Sequence, residues 1–386
     1  MNVILPTKLV MPVTTFTPDE TRSEEQRMVA VDLFCGVGGL TYGMRQAGLE
    51  VVAGYDIDGS CQYAYETNNP GTKFICQDVT LLTAEELNSH WPEGVVRILV
   101  GCAPCQPFSA VAAKAKKVRG QEEIETSWDP LRAFTRLILE TLPDVVSMEN
   151  VTRLANRTKN PVYGEFVDAL TDAGYTVTEH RPFGPDYGIP QTRRRLVLFA
   201  SRKGEVALPE KTHATDEYVG VLEKIGGLKP LEAGESDPDD PMHIAASLSE
   251  INLKRAAASK QGGDWSDWPD SLLLECHKKK SGKSFPTVYG RMTSESPAPT
   301  LTTQFFKIGT GRFVHPTQNR GLSLREGAII QTFPRDYVFA PKNSKINMTV
   351  MGRHIGNAVP PILGKTIGAS IIKHWNHCLI YTMLSI

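Results

Sequence analysis

The sequence predicts an α/β fold built on a doubly wound, mostly parallel sheet. Over the first two hundred residues, short β-rich runs alternate with amphipathic segments. Those runs are continuously apolar rather than alternating, the pattern of strands covered by helices on both faces. Most polar clusters fall where a run ends, and the carboxyl ends of the strands are where open α/β sheets hold ligands.

In order, "MVAVDLF" (28–34), "VVAGYD" (51–56), "KFICQD" (73–78), "VRILVG" (96–101) and "DVVSMEN" (144–150) read as buried strands. "LRAFTRLILETL" (131–142) and "YGEFVDALTDAG" (163–174) carry helical spacing, and "RRRLVLFAS" (193–201) is a further apolar run. The pattern then dissolves. Residues 202–288 are rich in Pro, Gly, Asp, Glu, Lys and Trp, with only short periodic pieces such as "HIAASLSEINLKRAAAS" (243–259). Order returns at "YGRMTSESPAPTLTT" (289–303), and the second half of "GNAVPPILGKTIGASIIKHW" (356–375) is an amphipathic helix. The expected organisation is an N-terminal extension (1–27) on the surface or at a sheet edge and a main domain (28–201). A smaller irregular domain (202–290) follows, then a segment that links back to the main domain (291–386).

With 386 residues, 41% of them hydrophobic, the chain can bury a large core and build two domains. Its formal charge of −1 means that any nucleic-acid partner must be held by local patches rather than by a global positive field. Seven cysteines, an odd number at scattered spacings, argue against a secreted disulfide scaffold and for a reducing compartment. The N-terminus lacks the basic start and apolar core of a signal peptide, and no run of about twenty apolar residues suggests a membrane span.

"DLFCGVGG" places Asp32, Gly36, Gly38 and Gly39 at a strand-to-helix join, where glycines let the backbone turn tightly and approach a ligand. A structural turn and a phosphate-binding loop both fit that motif. Asp56 in "GYDID", about twenty residues on, is placed to accept from ribose hydroxyls. Asp78 ends the third run, where it could bind an exocyclic amine or cap a surface helix. Three carboxylates around one pocket suit a positively charged nucleoside better than a pyrophosphate, and S-adenosylmethionine carries a sulfonium.

The fourth run ends in "GCAPCQPFS". Cys102 and Cys105 invite a zinc or dithiol reading, but no second C-x-x-C pair completes a zinc site. Gln106-Pro107 disfavours the helix that a thioredoxin-like pair would open. A single nucleophilic thiolate remains. Glu149 and Asn150, at the end of the fifth run, would share its cleft if the two strands are neighbours. A carboxylic acid and an amide side by side suit the ring N3 and exocyclic amine of a cytosine.

With these pieces in view, the chain resembles the cytosine-C5 DNA methyltransferase family. The match runs from Asp32 to about Ala200 and again from Arg291 to Gly368, through "DLFCGVGG", "GYDID", "QDV", "PCQPFS", "ENV", "YGIPQTRRR" and "GNAVPP" in the family's order. The resemblance implies an S-adenosylmethionine-dependent, Rossmann-like methyltransferase fold with a target-recognition domain in the irregular region. It implies Cys105 as the nucleophile that adds to cytosine C6, Glu149 as the group that protonates or hydrogen-bonds N3, and Asn150 as a buttress of the active-site loop. Arg193 and Arg195 match the family's cleft arginines, and a nearby guanidinium lowers a thiol pKa. Phe34, Gly36, Gly38, Asp56, Ile57, Asp78 and Val79 match the S-adenosylmethionine pocket, with Asn357 and Val359 closing it. S-adenosylhomocysteine is the product, and no metal is implied. Cys102 and Ala103 stand where Gly and Pro are frequent in the family, and Cys102 acquires no task.

A stacked cytosine must be flipped out before its ring can be attacked. Lys114, Lys116, Lys117 and Arg119 are suited to phosphate contacts as the loop after the nucleophile closes, or form a plain solvated run. Lys278, Lys279 and Lys280, in "HKKKSGK", are further DNA-contact candidates, and so is Arg291, which matches the motif that links the smaller domain to the core. Trp265 and Trp268 read as core of the smaller domain. The implied partner is double-stranded DNA, with a cognate restriction endonuclease or a phage-defence system as further candidates. The implied protein is a cytoplasmic, nucleoid-associated monomer of bacterial or phage type. A tRNA cytosine methyltransferase with the same core and an inactive DNA-binding relative are the alternatives. The large irregular insertion speaks against the first, and the intact Cys105, Glu149 and Asn150 against the second.

Overall fold

The computed structural model describes residues 26–104, 125–279 and 286–384. Seven strands form the main sheet: β1 (Met28–Leu33), β2 (Glu50–Asp56), β3 (Lys73–Cys76), β4 (Val96–Gly101), β5 (Val145–Val151), β6 (Thr176–His180) and β7 (Arg195–Ser201). Their order is β3-β2-β1-β4-β5-β7-β6. The first five run parallel, and β7 lies antiparallel to both β5 and β6. The order reverses between β1 and β4, so a crevice opens at their carboxyl ends.

Both sheet faces are covered, as the continuous apolar runs require. Val29, Val31 and Leu33 of β1 face one core with Phe134, Leu137, Ile138 and Phe166. Those partners lie on two helices, Asp129–Thr141 and Pro161–Asp172, each with a proline in its first turn, where its missing N–H costs nothing. Ala30, with Val51, Ile98 and Val100, faces the opposite core. That side is filled by α1 (Gly39–Gln46) and by the long C-terminal helix Pro361–Leu384 through Leu40, Met44, Leu363, Ile367 and Ile371. The helix thus lies against α1 on the sheet face that Ala30 presents. The two helices meet almost backbone to backbone, since a Cβ on Gly364 would lie 2.7 Å from the Leu40 carbonyl oxygen. Only glycine permits that approach.

The five expected strands lie within two residues of the observed ones. β6 has no counterpart among the expected strands: its "TVTEH" lies at the sheet edge and carries no apolar run. The 243–259 piece divides into the end of a strand, Asp240–Ile244, and a helix, Glu250–Ala258. Residues 289–303 form neither helix nor strand and are tied in by isolated bridges, including Arg291 to Val314.

A third core joins the two ends of the chain. Val221, Ile225 and Met242 pack with Met292, Phe305, Phe306, Leu324 and Ile355, and the same cluster takes in Val37, Ala64, Tyr65 and Phe74. Trp265 and Trp268 form a separate small core with Leu272, and Trp265 stacks on His277 at 4.3 Å, as expected for core aromatics.

One expectation is corrected. Arg291 is not a DNA-facing cation: it is 7% exposed and its donors point inward. Nε donates to the Ser259 carbonyl, Nη1 to those of His315 and Gln318, and Nη2 to the Ala256 carbonyl and Asn319 Oδ1. Those bonds account for all five N–H groups of a guanidinium. Arg291 is a strut, and a buried cation so engaged has nothing left for a phosphate.

Candidate active site

The glycine-rich loop after β1 begins with Phe34, a non-glycine residue at φ 61°, and continues through Gly36 at 52° and Gly38 at 87°. Gly38 caps α1, and a Cβ there would lie 2.7 Å from Asn69 Nδ2 and 2.9 Å from the Tyr65 ring. Around Gly36, by contrast, a Cβ would meet nothing within 4 Å, so this backbone faces open space. Asp56, at the end of β2, fixes the loop: its Oδ2 accepts from Gly36 N at 2.8 Å and its Oδ1 from Asp58 N at 2.8 Å. Burial raises the Asp56 carboxyl, against the pull of those two N–H groups. Ile57 beside it is an exposed apolar side chain, 70% accessible. Asp78 is half-buried, and one of its oxygens caps the short helix Val79–Leu81 through Thr80 N at 2.9 Å. The helix-cap reading of Asp78 is therefore realised. Val79 is buried.

Beneath the loop, Asp32 is fully buried and accepts from Thr41 Oγ1 at 2.7 Å, while its Oδ1 has no partner among the described residues. Burial pushes this carboxyl up to about 7.

The segment "GNAVPP" arrives from the far end of the chain. The Val359 carbonyl seats against Gly39, where a Cβ would collide with it, and Asn357 is exposed. The preceding helix, Met348–Asn357, adds contacts that motif reading missed. His354 Nε2 lies 3.2 Å from Asp58 Oδ2 and 3.1 Å from Ser60 Oγ, and Arg353 Nη2 lies 2.7 Å from the same Asp58 oxygen. Asp58, Cys61 and His354 offer ligand atoms within 4.8 Å of one another. The Arg353 cation already neutralises that carboxylate, so the cluster serves better as a latch between this helix and the loop after β2 than as a metal site.

On the other side of the switch point, the register Gly101 to Met148 sets Cys102 alongside Glu149. Glu149 is 3% exposed. Cys102 Sγ donates to Glu149 Oε2 at 3.1 Å. In the antiparallel pair, Val151 faces Arg195, so Glu149, two residues earlier on the same face, is Arg195's diagonal neighbour. Arg195 Nε lies 3.0 Å from Glu149 Oε1. The contact is an ion pair without hydrogen-bond alignment, and Oε1 accepts no hydrogen bond among the described residues.

Asn150 Nδ2 donates to the Ala103 carbonyl at 3.0 Å, and its Oδ1 accepts from Val151 N at 2.8 Å. Arg193 is 4% exposed. Its Nη2 donates to the Ala358 carbonyl at 3.3 Å, while Nε and Nη1 have no partner among the described residues. Burial first, and then neighbouring Arg195, lower this guanidinium to about 9 against the pull of Glu149. The Ala358 carbonyl also accepts from Gln331, whose Oε1 takes Gln191 Nε2 at 2.7 Å. This amide chain links "PQTRRR" to "GNAVPP". Gln191, fully buried within "YGIPQTRRR", is the side-chain amide of this chain that lies in a recognisable motif.

The fold thus brings Glu149, Asn150, Arg193 and Arg195 together at the β4–β5 end, and Phe34, Gly36, Gly38, Asp56, Ile57, Asp78, Val79 and Val359 around the β1–β3 end. Cys105, Lys114, Lys116, Lys117, Arg119 and Lys280 lie outside the described residues. Lys278 and Lys279 are exposed, with Lys278 paired to Glu275 at 2.6 Å.

Comparison with known proteins gives one answer. The family model for C-5 cytosine-specific DNA methylase matches residues 28–373. The chain is 46% identical over 341 residues to the type II methylase M.HgiDII of Herpetosiphon aurantiacus, covering 88% of this chain and 94% of that protein. It is 32% identical over 345 residues to the type II methyltransferase M1.HphI of Haemophilus parahaemolyticus, covering 89% and 86%. Among solved structures, the Schizosaccharomyces pombe Dnmt2 methyltransferase superposes with a TM-score of 0.53 at 17% identity, covering 91% of this chain and 99% of that one, a likeness of fold. Among the described residues, no helix is long and apolar enough to cross a membrane.

Proposed function

The chain belongs to the C-5 cytosine-specific DNA methylase family, and from that membership we propose how its residues divide the work. It is a DNA (cytosine-5)-methyltransferase, and S-adenosylmethionine-dependent catalysis comes with the family. The single observation that carries the residue assignment is the arrest of Glu149. Its buried carboxyl is held by Cys102 and Arg195 beside Asn150, which binds the carbonyl two residues before Cys105.

In this reading the target cytosine is flipped out of double-stranded DNA, since the faces of a stacked ring are closed to attack. The Cys105 thiolate adds to C6, and Glu149 holds or protonates N3 so that the ring accepts the electron pair. The addition leaves an enamine, whose C4–C5 π electrons form the bond from C5 to the methyl carbon while the electrons of the old methyl–sulfur bond stay on sulfur. Loss of the C5 proton and departure of the Cys105 thiolate restore the aromatic ring. Arg193 and Arg195 keep the cleft electropositive, which favours the thiolate and an anionic strand. The two unpartnered, buried nitrogens of Arg193 suit an acceptor brought by substrate or by the nucleophile loop.

The β1–β3 pocket fits S-adenosylmethionine: Gly36 backbone opens onto free space, Asp56 stands beside it and exposed Ile57 offers an apolar rim. When bound there, the cofactor supplies the transferred methyl group and leaves as S-adenosylhomocysteine. Phe34, Gly38, Asp78, Val79, Asn357 and Val359 would complete that pocket. Target reading is assigned to residues 202–290, with Lys278 and Lys279 on the DNA backbone, and the nucleophile loop with its basic run closes over the duplex. In the same reading the enzyme is a cytoplasmic monomer, and the type II names of its relatives favour a cognate endonuclease as its partner.

Covalent trapping tests the assignment. Incubated with S-adenosylmethionine and genomic DNA substituted with 5-fluorocytosine, the protein should form a denaturation-resistant DNA complex that Cys105→Ala abolishes. Absence of the complex, or its survival in Cys105→Ala, would overturn the mechanism.

A further inference from the structure

We propose that Cys102 is a positioning residue for Glu149: its thiol commits Oε2 and leaves Oε1 as the oxygen that meets the cytosine. The inference rests on the assignment of Glu149 above.

A carboxylate has two equivalent oxygens and can present either. Here they are made unequal. Oε2 accepts the Cys102 thiol at 3.1 Å. Oε1 is buried and accepts no hydrogen bond among the described residues, although Arg195 Nε stands 3.0 Å away as a counter-ion. A buried acceptor without an aligned donor is costly unless a ligand supplies one. Arg195 offsets the charge, Cys102 fixes the rotation about the last carbon–carbon bond, and the unmet acceptor capacity stays on one oxygen.

The location suits this role. Cys102 follows directly on β4, with Gly101 registered against Met148, so its Cα is set by the sheet rather than by the loop beyond. Asn150 pins the next residue through the Ala103 carbonyl at 3.0 Å. The thiol is thus delivered from a fixed backbone, whereas glycine at this position would offer Glu149 no side-chain donor. A thiol is a weak donor, so its loss should cost orientation rather than fold.

The test is single-turnover methylation of unmethylated genomic DNA with radiolabelled S-adenosylmethionine at saturating concentrations. Cys102→Ala should lower the rate about tenfold with the DNA and cofactor dissociation constants unchanged. Cys102→Ser, which restores a donor of similar length, should recover the rate to within about threefold. In a Glu149→Asp background, where the shorter carboxylate is out of reach, Cys102→Ala should have no further effect. A Cys102→Ala rate equal to wild type, or failure of serine to recover it, would overturn the inference. If wild type transfers methyl groups but Glu149→Asp is equally fast, the Glu149 assignment itself fails, a different result from an inert Cys102.

Discussion

Asn150 Nδ2 donates to the carbonyl oxygen of Ala103 across 3.0 Å, tying the end of β5 to the chain two residues before Cys105. The bond joins neighbouring strands at their carboxyl ends. It fixes where the candidate nucleophile's loop departs, while Asn150 Oδ1 is held in turn by Val151 N. In the proposed mechanism this amide is a joint between acid and thiol.

Replacing Asn150 with alanine therefore leaves a carbonyl unpaired and the loop's root loose. A cost of about 1–3 kcal/mol for the orphaned acceptor is expected. Single-turnover methylation should slow about ten- to a hundredfold, while calorimetric binding of S-adenosylmethionine is unchanged. Equal loss in both would place Asn150 in the cofactor pocket instead.

Arg195 and Glu149 form an ion pair in which both side chains are largely buried. Removing one partner strands the other: Arg195→Gln should destabilise by about 3–5 kcal/mol, read by urea unfolding. The double variant Arg195→Gln, Glu149→Gln should regain much of that stability and remain inactive. A double variant less stable than Arg195→Gln would contradict the pairing.

Arg291→Met should lower the melting temperature sharply, because five backbone and side-chain acceptors lose their donor at once. Measured below its melting range, the variant should bind DNA as tightly as wild type. Normal melting with weakened DNA binding would restore Arg291 to the interface.

Asp32 supplies a pH signature. Its folded-state carboxyl sits at about 7, against about 4 in an unfolded chain. Between those values the folded state holds a proton that the unfolded state has lost, so stability falls as pH rises from 4 to 7 and is level above. Asp32→Asn should remove that fall, a difference of up to about 4 kcal/mol at pH 8 that vanishes near pH 4. Parallel stability–pH curves for the two proteins would show that Asp32 titrates normally.

The strands and the glycine loop were legible because burial on both faces writes itself as unbroken apolar runs, and because Gly36 and Gly38 stand where only a tight turn fits. Glu149 and Asn150 were legible as polar residues ending such a run. The contacts that unite the site were not. Cys102 reaches Glu149 through strand register, and Gln191 meets Gln331 across 140 residues of chain before Gln331 reaches Ala358. Arg291 misled because a motif match does not reveal burial, whereas five inward acceptors hold it in the core. β6 was passed over because an edge strand needs no apolar run.

The most direct test of the whole account is the chemistry left on DNA. The protein should be expressed in a host free of DNA methylation, and the host DNA examined by nucleoside mass spectrometry and bisulfite sequencing. The account predicts 5-methylcytosine at one recurring sequence, lost with Cys105→Ala. Unmodified DNA from cells holding folded protein, or methyl groups on adenine N6 or cytosine N4 instead, would contradict it.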